Sequence, residues 1–274
     1  MTDEQLAEAL RSPVPNRKTH LAPEADARIL VVDIERLPGL TSIFDQKTHG
    51  FIPVSRWRRL PSLLCFAAKW YDRKAVQFHA AWDDHDAMVQ ASWDLYDAAD
   101  IVVGYNSIRF DNKHLKSEWL LAGMPPPRPW KNVDLYAANR NLFGFESKSL
   151  NHLCHRLDLD TKSGHYDEIM AEDAINGDLK AQRLMKRYNI GDVKITEQAY
   201  DALRPWLAGH PVVNPTAPDG LACNACGSPE LVPAGTRQAN LMEYPLYRCA
   251  GCGGVVSGTR DGVRIARARG AKDA

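Results

Sequence analysis

The chain has 274 residues, of which 45% are apolar and 25% charged, enough for one large α/β domain plus a small module. Lys plus Arg and Asp plus Glu both number 34, so the formal net charge is zero. Any nucleic-acid surface must then be a local patch, because no global basic field exists. The start, Met1 to Leu6, lacks a basic-then-apolar leader, and no apolar run approaches a membrane span, so the expectation is a cytoplasmic protein with no membrane partner.

In chain order, residues 1–28 read as a short helix and a proline-containing lead-in. Residues 29–34 form an apolar, β-branched run of the kind that makes a buried strand. A polar segment follows to about residue 61, and within it Arg56 and Trp57 combine a cation with an aromatic ring. That pair could grip phosphate and stack on a base, or belong to a solvated loop. Leu63 to Trp70 and Ala75 to Trp82 read as a β-hairpin extending the sheet. Helical spacing runs from Asp84 to Ala98, and a strand from Ile101 to Tyr105. A helix opens at Asp111 and stops at Gly123, and Val133 to Tyr136 is a weak fifth strand. Helices then cover Lys148 to Leu157 and about 167–176 and 178–203. Strands with crossover helices imply a mixed α/β sheet covered on both faces. The prolines at 205, 211, 215 and 218 mark a linker.

Three acidic motifs carry the chemistry. On the first strand, Asp33 and Glu35 are two apart and leave from one face, while Leu30, Val32 and Ile34 fill the other. Two adjacent carboxylates repel unless water or a hard cation such as Mg²⁺ or Mn²⁺ compensates them. The second motif is Asn106 to Phe110-Asp111, at a strand-to-helix turn where Asp111 could equally be a helix N-cap. The third is Tyr188 and Asp192, four apart and therefore on one helix face. Gly191 between them costs helix stability, which suggests close approach of that helix to the sheet.

The conjunction and order of these motifs resemble the proofreading 3′–5′ exonuclease domain of family B DNA polymerases, among the DnaQ-like (DEDD) exonucleases of RNase H-like fold. The resemblance spans about residues 25–205 and favours the Tyr branch, since Arg187 stands where the His branch has its base. It implies a two-metal phosphodiesterase acting on single-stranded DNA or, as the less expected substrate, RNA. By resemblance Asp33 bridges two Mg²⁺ or Mn²⁺ ions, Glu35 and Asp192 complete one, and Asp111 supports the other. Tyr188 would orient the attacking water, and Asn106 and Phe110 would contact the terminal nucleotide. Ser147 to Leu150 is a weaker candidate for backbone contact. The chain is too short to add a polymerase, so the expectation is a stand-alone nuclease. Rival readings are a structure-specific endonuclease on the same acids and a non-catalytic adaptor for nucleic acid or a replisome.

Six cysteines are present, and four form Cys223-x-x-Cys226-Gly and Cys249-x-x-Cys252-Gly. Four thiolates so spaced can close a tetrahedral Zn²⁺ site, and the stretch resembles a zinc ribbon. Cys65 and Cys154 read as core residues. The expected layout is therefore lead-in 1–28, RNase H-like exonuclease domain 29–205, linker 206–220, zinc ribbon 221–258 and basic tail 259–274. The ribbon could recruit a replication or repair protein, and the tail could hold phosphate.

Overall fold

The computed structural model describes residues 27–42, 51–162, 164, 166–214, 222–239 and 242–258. The expected N-terminal helix, most of the lead-in, the basic tail, linker residues 215–220 and the first ribbon residue, 221, lie outside the described residues.

A five-stranded mixed sheet has the order β5-β4-β1-β6-β7. Its strands are β1 (Ile29–Leu37), β4 (Ser62–Trp70), β5 (Gln77–Ala80), β6 (Ile101–Gly104) and β7 (Lys131–Asp134). Because β1 is central, it is apolar on both faces, as its continuous run requires. It pairs antiparallel with β4 and parallel with β6, which pairs parallel with β7. A small excursion, β2 (Leu40–Thr41) against β3 (Trp57–Arg59), interrupts the path from β1 to β4.

Helices cover both faces. Leu30, Val32 and Ile34 pack with α1 (Ala81–Ala98) and α2 (Asp111–Leu121), through Met88, Val89, Tyr96, Leu115 and Trp119. Ile29 and Val31 pack on the other face with α4 (Leu150–Arg156) and α6 (Leu179–Leu203), through Leu153, Val193, Ala199 and Tyr200. The alternation expected of β1 is therefore present, and its acids look toward α6. A short α5 (Glu168–Ile175) packs beside α6. Cys65 and Cys154 are buried in these clusters, as expected.

Two local expectations need correction. The weak strand at 133–136 ends at Asp134, and α3 (Leu135–Leu142) starts immediately after it. Asp134 accepts from the N–H groups of Tyr136 and Ala137, so an N-cap overrides the local β-preference. The strand expected to run to Trp82 stops at Ala80 and turns straight into α1. Within α1, Asp84 is non-helical and its carboxylate accepts from Ala87 N–H at 2.9 Å, which caps the longer part of the helix.

The C-terminal cysteines cluster beside a second sheet of three strands, β8 (Leu231–Ala239), β9 (Met242–Cys249) and β10 (Val255–Ser257), in the order β10-β9-β8. The first knuckle is tied to the end of the main domain. Asn224 Nδ2 donates to the His210 carbonyl at 2.8 Å, and Val213 N–H donates to the Asn224 carbonyl.

Candidate active site and metal centres

The acidic centre lies at the carboxyl ends of the parallel strands, the usual place for ligand sites in open α/β sheets. Its first two members sit on β1 opposite small partners: Asp33 faces Ala67 and Glu35 faces Cys65 on β4. Those neighbours leave space above the carboxylates, and the ladder slips between Glu35 and Arg36. The third member, Asp192, comes from α6. Ligand oxygens of Asp33, Glu35 and Asp192 lie within 4.8 Å of one another. Residues 159 positions apart in sequence are thereby gathered at one point.

Asp111 is beside this group but is held differently. It is the first residue of α2 and is buried, and its Oδ1 accepts from Ile34 N–H at 3.1 Å. The bond fastens the start of α2 to β1 between the two strand acids, which an N-cap within its own helix would not do. Burial raises the carboxyl pKa of Asp111 to about 7, against the lowering effect of the backbone N–H bonds it accepts.

The other acids are strained in the same direction. Burial raises Asp33 well above the usual carboxylate range, helped by repulsion from Glu35, Asp111 and Asp192. Burial and Asp192 together push Glu35 up to about 8. Asp192 is also raised by burial, with Lys162 opposing the shift. Mutually repelling oxygen donors of this kind suit a hard divalent cation, and the donor set fits Mg²⁺ or Mn²⁺.

Two residues that sequence reasoning missed hold the group in place. Lys162 donates to the Tyr188 hydroxyl at 2.9 Å and to Asp192, and its ammonium lies 4.8 Å from the Tyr188 ring centroid. Asn189, buried on α6, donates from Nδ2 to Asp33 Oδ2 at 2.7 Å. Neither had a readable signal. Lys162 lies in a polar stretch without periodicity, and Asn189 is an ordinary amide inside a long helix. The Tyr188 hydroxyl shares Lys162 with Asp192, so the four-residue spacing does aim both side chains at one place. Burial raises the Tyr188 pKa, which keeps its hydroxyl protonated as a donor near neutral pH.

A cavity of about 650 Å³ opens over these residues. Asp33, Lys162, Tyr188 and Asp192 line it, together with Tyr105, Asn106 and Tyr136. Its size suits a nucleotide-sized ligand. Asn106 has a left-handed backbone (φ 67°), and its N–H donates to Asp134, so the cap of α3 also shapes the turn between β6 and α2. Ser149 and Leu150 line the cavity too, while Ser147 does not. Phe110 is partly exposed, edge-on to His114 at 4.7 Å between ring centres, and lies outside the cavity lining. Arg56 and Trp57 are also outside it. Arg56 is exposed, while Trp57 is half-buried against Gly39 in the β2–β3 hairpin.

The second centre is made of sulfur. Cys223, Cys226, Cys249 and Cys252 are all buried, with their sulfurs within 4.8 Å of one another. The pairs Cys223–Cys252 and Cys226–Cys249 are 3.7 and 3.6 Å apart. Disulfides would need about 2.05 Å. A tetrahedron with Zn–S bonds of about 2.3 Å has edges of about 3.8 Å, so the spacing fits a Cys₄ zinc site. Gly227 and Gly253, directly after the pairs, have φ of 81° and 75°, a backbone that favours glycine.

No protein-family profile matches the chain, and no curated protein matches it. Among solved structures, the fold is similar to the family B DNA polymerase from the hyperthermophilic archaeon Pyrobaculum calidifontis. The TM-score is 0.51 at 18% identity, over 81% of this chain and 32% of that one. The chain therefore corresponds to about a third of that polymerase's length, and the likeness is one of fold. Among the described residues no helix is long and apolar enough to cross a membrane.

Proposed function

We propose that the protein is a 3′–5′ exonuclease that hydrolyses phosphodiester bonds of single-stranded nucleic acid, with DNA favoured over RNA. The observation that carries this reading is the convergence of Asp33, Glu35 and Asp192, with Asp111 fixed beside them, where Asp33 and Asp192 line a nucleotide-sized cavity. The structural neighbour is a DNA polymerase, which supports nucleic acid as substrate and DNA in particular.

Asp33, Glu35, Asp111 and Asp192 would hold two Mg²⁺ or Mn²⁺ ions. When bound, such ions supply positive charge that makes water a better nucleophile and offsets the charge developing on the phosphate. The chain's own groups do the rest. The Tyr188 hydroxyl orients the attacking water by hydrogen bonding. The Lys162 ammonium fixes Tyr188 and Asp192 relative to each other and adds a positive charge beside the reacting phosphate. Asn189 holds Asp33 so that its carboxylate faces α6. Asn106, Tyr105 and Tyr136 form the side of the cavity available to sugar and base. The four cysteines would bind one structural Zn²⁺, whose closed ligand set leaves no position for substrate. That module is a place for a replication or repair partner to bind.

The test uses 5′-labelled DNA and RNA single strands and a covalently closed circle, with Mg²⁺, Mn²⁺ or chelator. The expected result is a ladder shortening from the 3′ end, dependent on the divalent ion, with the circle untouched. Cleavage of the circle would replace this reading with an endonuclease, and no cleavage under any condition would leave a nucleic-acid adaptor.

A further inference from the structure

The zero net charge hides a separation across the sheet. On one face, α1 carries Asp83, Asp84, Asp86, Asp94 and Asp97, and no Lys or Arg. On the other, α6 carries Lys180, Arg183, Lys186, Arg187 and Lys194, all exposed. Between Leu179 and Thr196 the sole carboxylate of α6 is Asp192, which is buried at the acidic centre. The next acids along the helix are engaged, Glu197 by Lys69 and Asp201 by the Tyr71 hydroxyl. On α5, packed beside α6, Glu172 pairs with Arg59, leaving Glu168 and Asp173 against five cations.

Steps of three, four and seven residues place Lys180, Arg183, Arg187 and Lys194 in one stripe on the outward face. None of these four forms an ion pair among the described residues, and Lys186 lies over the Phe78 ring at 5.2 Å. At 1.5 Å per residue the stripe is about 21 Å long. That length spans several successive phosphates of a strand. The stripe shares α6 with the candidate site, Arg187 directly preceding Tyr188 and leaving the helix about 100° around its axis from it.

We propose that the outward face of α6 is a docking surface for the phosphodiester backbone of the substrate, upstream of the terminal nucleotide seated at the acids. This deepens the nuclease reading and rests on it. An isolated basic face would be ordinary solvated surface. Here a continuous cationic stripe, cleared of acids, shares its helix with the residues that face the cleavage point. The acidic α1 on the opposite face would repel the same strand, which favours approach along α6.

The experiment measures affinity of the full-length protein for a single strand of about thirty nucleotides against salt, without divalent ions so that nothing is cut. The test variant combines Lys180→Gln, Arg183→Gln, Arg187→Gln and Lys194→Gln. The comparison variant combines Asp83→Asn, Asp86→Asn and Asp94→Asn on α1. Glutamine keeps helix propensity, and matched thermal melts establish that both variants are folded. The expected result is about a tenfold or greater loss of affinity in the α6 variant at moderate salt. Its slope of log K against log salt should flatten by about 2–3, near 0.7 for each phosphate that the variant no longer neutralises. The α1 variant should keep the wild-type slope.

An unchanged slope in a folded α6 variant overturns the proposal, and so does a wild-type protein that binds no strand. A salt-sensitive self-association lost in both variants, with strand binding unaffected, would reassign the stripe to a second copy's α1. Cleavage assays separate the two claims. Cleavage with an unchanged slope removes the docking surface but leaves the nuclease, whereas a flattened slope without cleavage does the reverse.

Discussion

The two centres solve the same problem, crowded anionic ligands, in opposite ways. The sulfurs come from two local knuckles, are at most 2% exposed, and are spaced at 3.6–3.7 Å like the edge of a tetrahedron. The carboxylates come from β1, α2 and α6; Asp33 and Glu35 are only half-buried, and Asp33 and Asp192 line a cavity of about 650 Å³. A closed, soft ligand set stabilises a fold, while an open, hard one can admit ions and substrate. The acids are also held by hydrogen-bond donors, the Lys162 ammonium on Asp192 and the Asn189 Nδ2 on Asp33. The sulfur cluster fixes its own geometry, whereas the oxygen cluster depends on the whole domain.

The largest expected effect breaks the oxygen centre alone. Asp33→Asn, Glu35→Gln and Asp192→Asn each remove a ligand charge at constant volume and should each cut cleavage by about 10³-fold or more. Zinc content should stay the same. Steady-state cleavage beside elemental analysis checks this, and wild-type turnover in two of the three variants would end the assignment. Tyr188→Phe deletes one hydroxyl while keeping the ring, and should slow single-turnover cleavage by about 10–10³-fold with little change in binding. An unchanged rate would make Tyr188 a packing residue. Asn189→Leu removes the amide that steers Asp33. A loss of about 10–100-fold in rate or ion affinity is expected, the usual size for residues that orient ligands. The readout is the Mn²⁺ concentration needed for half-maximal rate, which a purely structural defect would not shift.

Such distant supports explain what could be read beforehand and what could not. Asp33 and Glu35 were legible because a central strand shows as an apolar run, and two acids in it stand out. Tyr188 and Asp192 were legible from helical spacing, and the cysteines from their fixed intervals. Lys162 was not, because its partners lie 26 and 30 residues away and nothing local marks it. Helix α3 was missed because Asp134 caps it from the end of a β-like run, a choice decided by β7 pairing with β6. The linker looked loose from its prolines, yet His210 and Val213 are hydrogen-bonded to the first knuckle.

A smaller effect sharpens the comparison through pH. In an unfolded chain Glu and Asp ionise near 4.3 and 3.9, whereas in the folded protein Glu35 titrates at about 8 and Asp111 at about 7. Between these limits the folded state holds more protons than the unfolded one, so stability falls as pH rises. In buffer free of Mg²⁺ and Mn²⁺, the melting temperature should therefore decline from about pH 5.5 to 8, and an excess of Mn²⁺ should flatten the decline by binding the ionised acids. Glu35→Gln should flatten it as well. A melting temperature that rises over this range without divalent ions would contradict the strained-carboxylate account.

The most direct test of the central claim, that the oxygen centre does the chemistry and the sulfur centre holds structure, follows both metals in one preparation. Protein passed over a mild chelating resin should keep about one Zn²⁺ per chain and lose all cleavage of a short single strand, and added Mg²⁺ or Mn²⁺ should restore it with zinc unchanged. Cys249→Ser should lose the zinc yet still cleave that strand when Mg²⁺ is supplied. Cleavage that persists in the resin-treated protein, or that disappears with zinc while the main domain stays folded, would contradict the account.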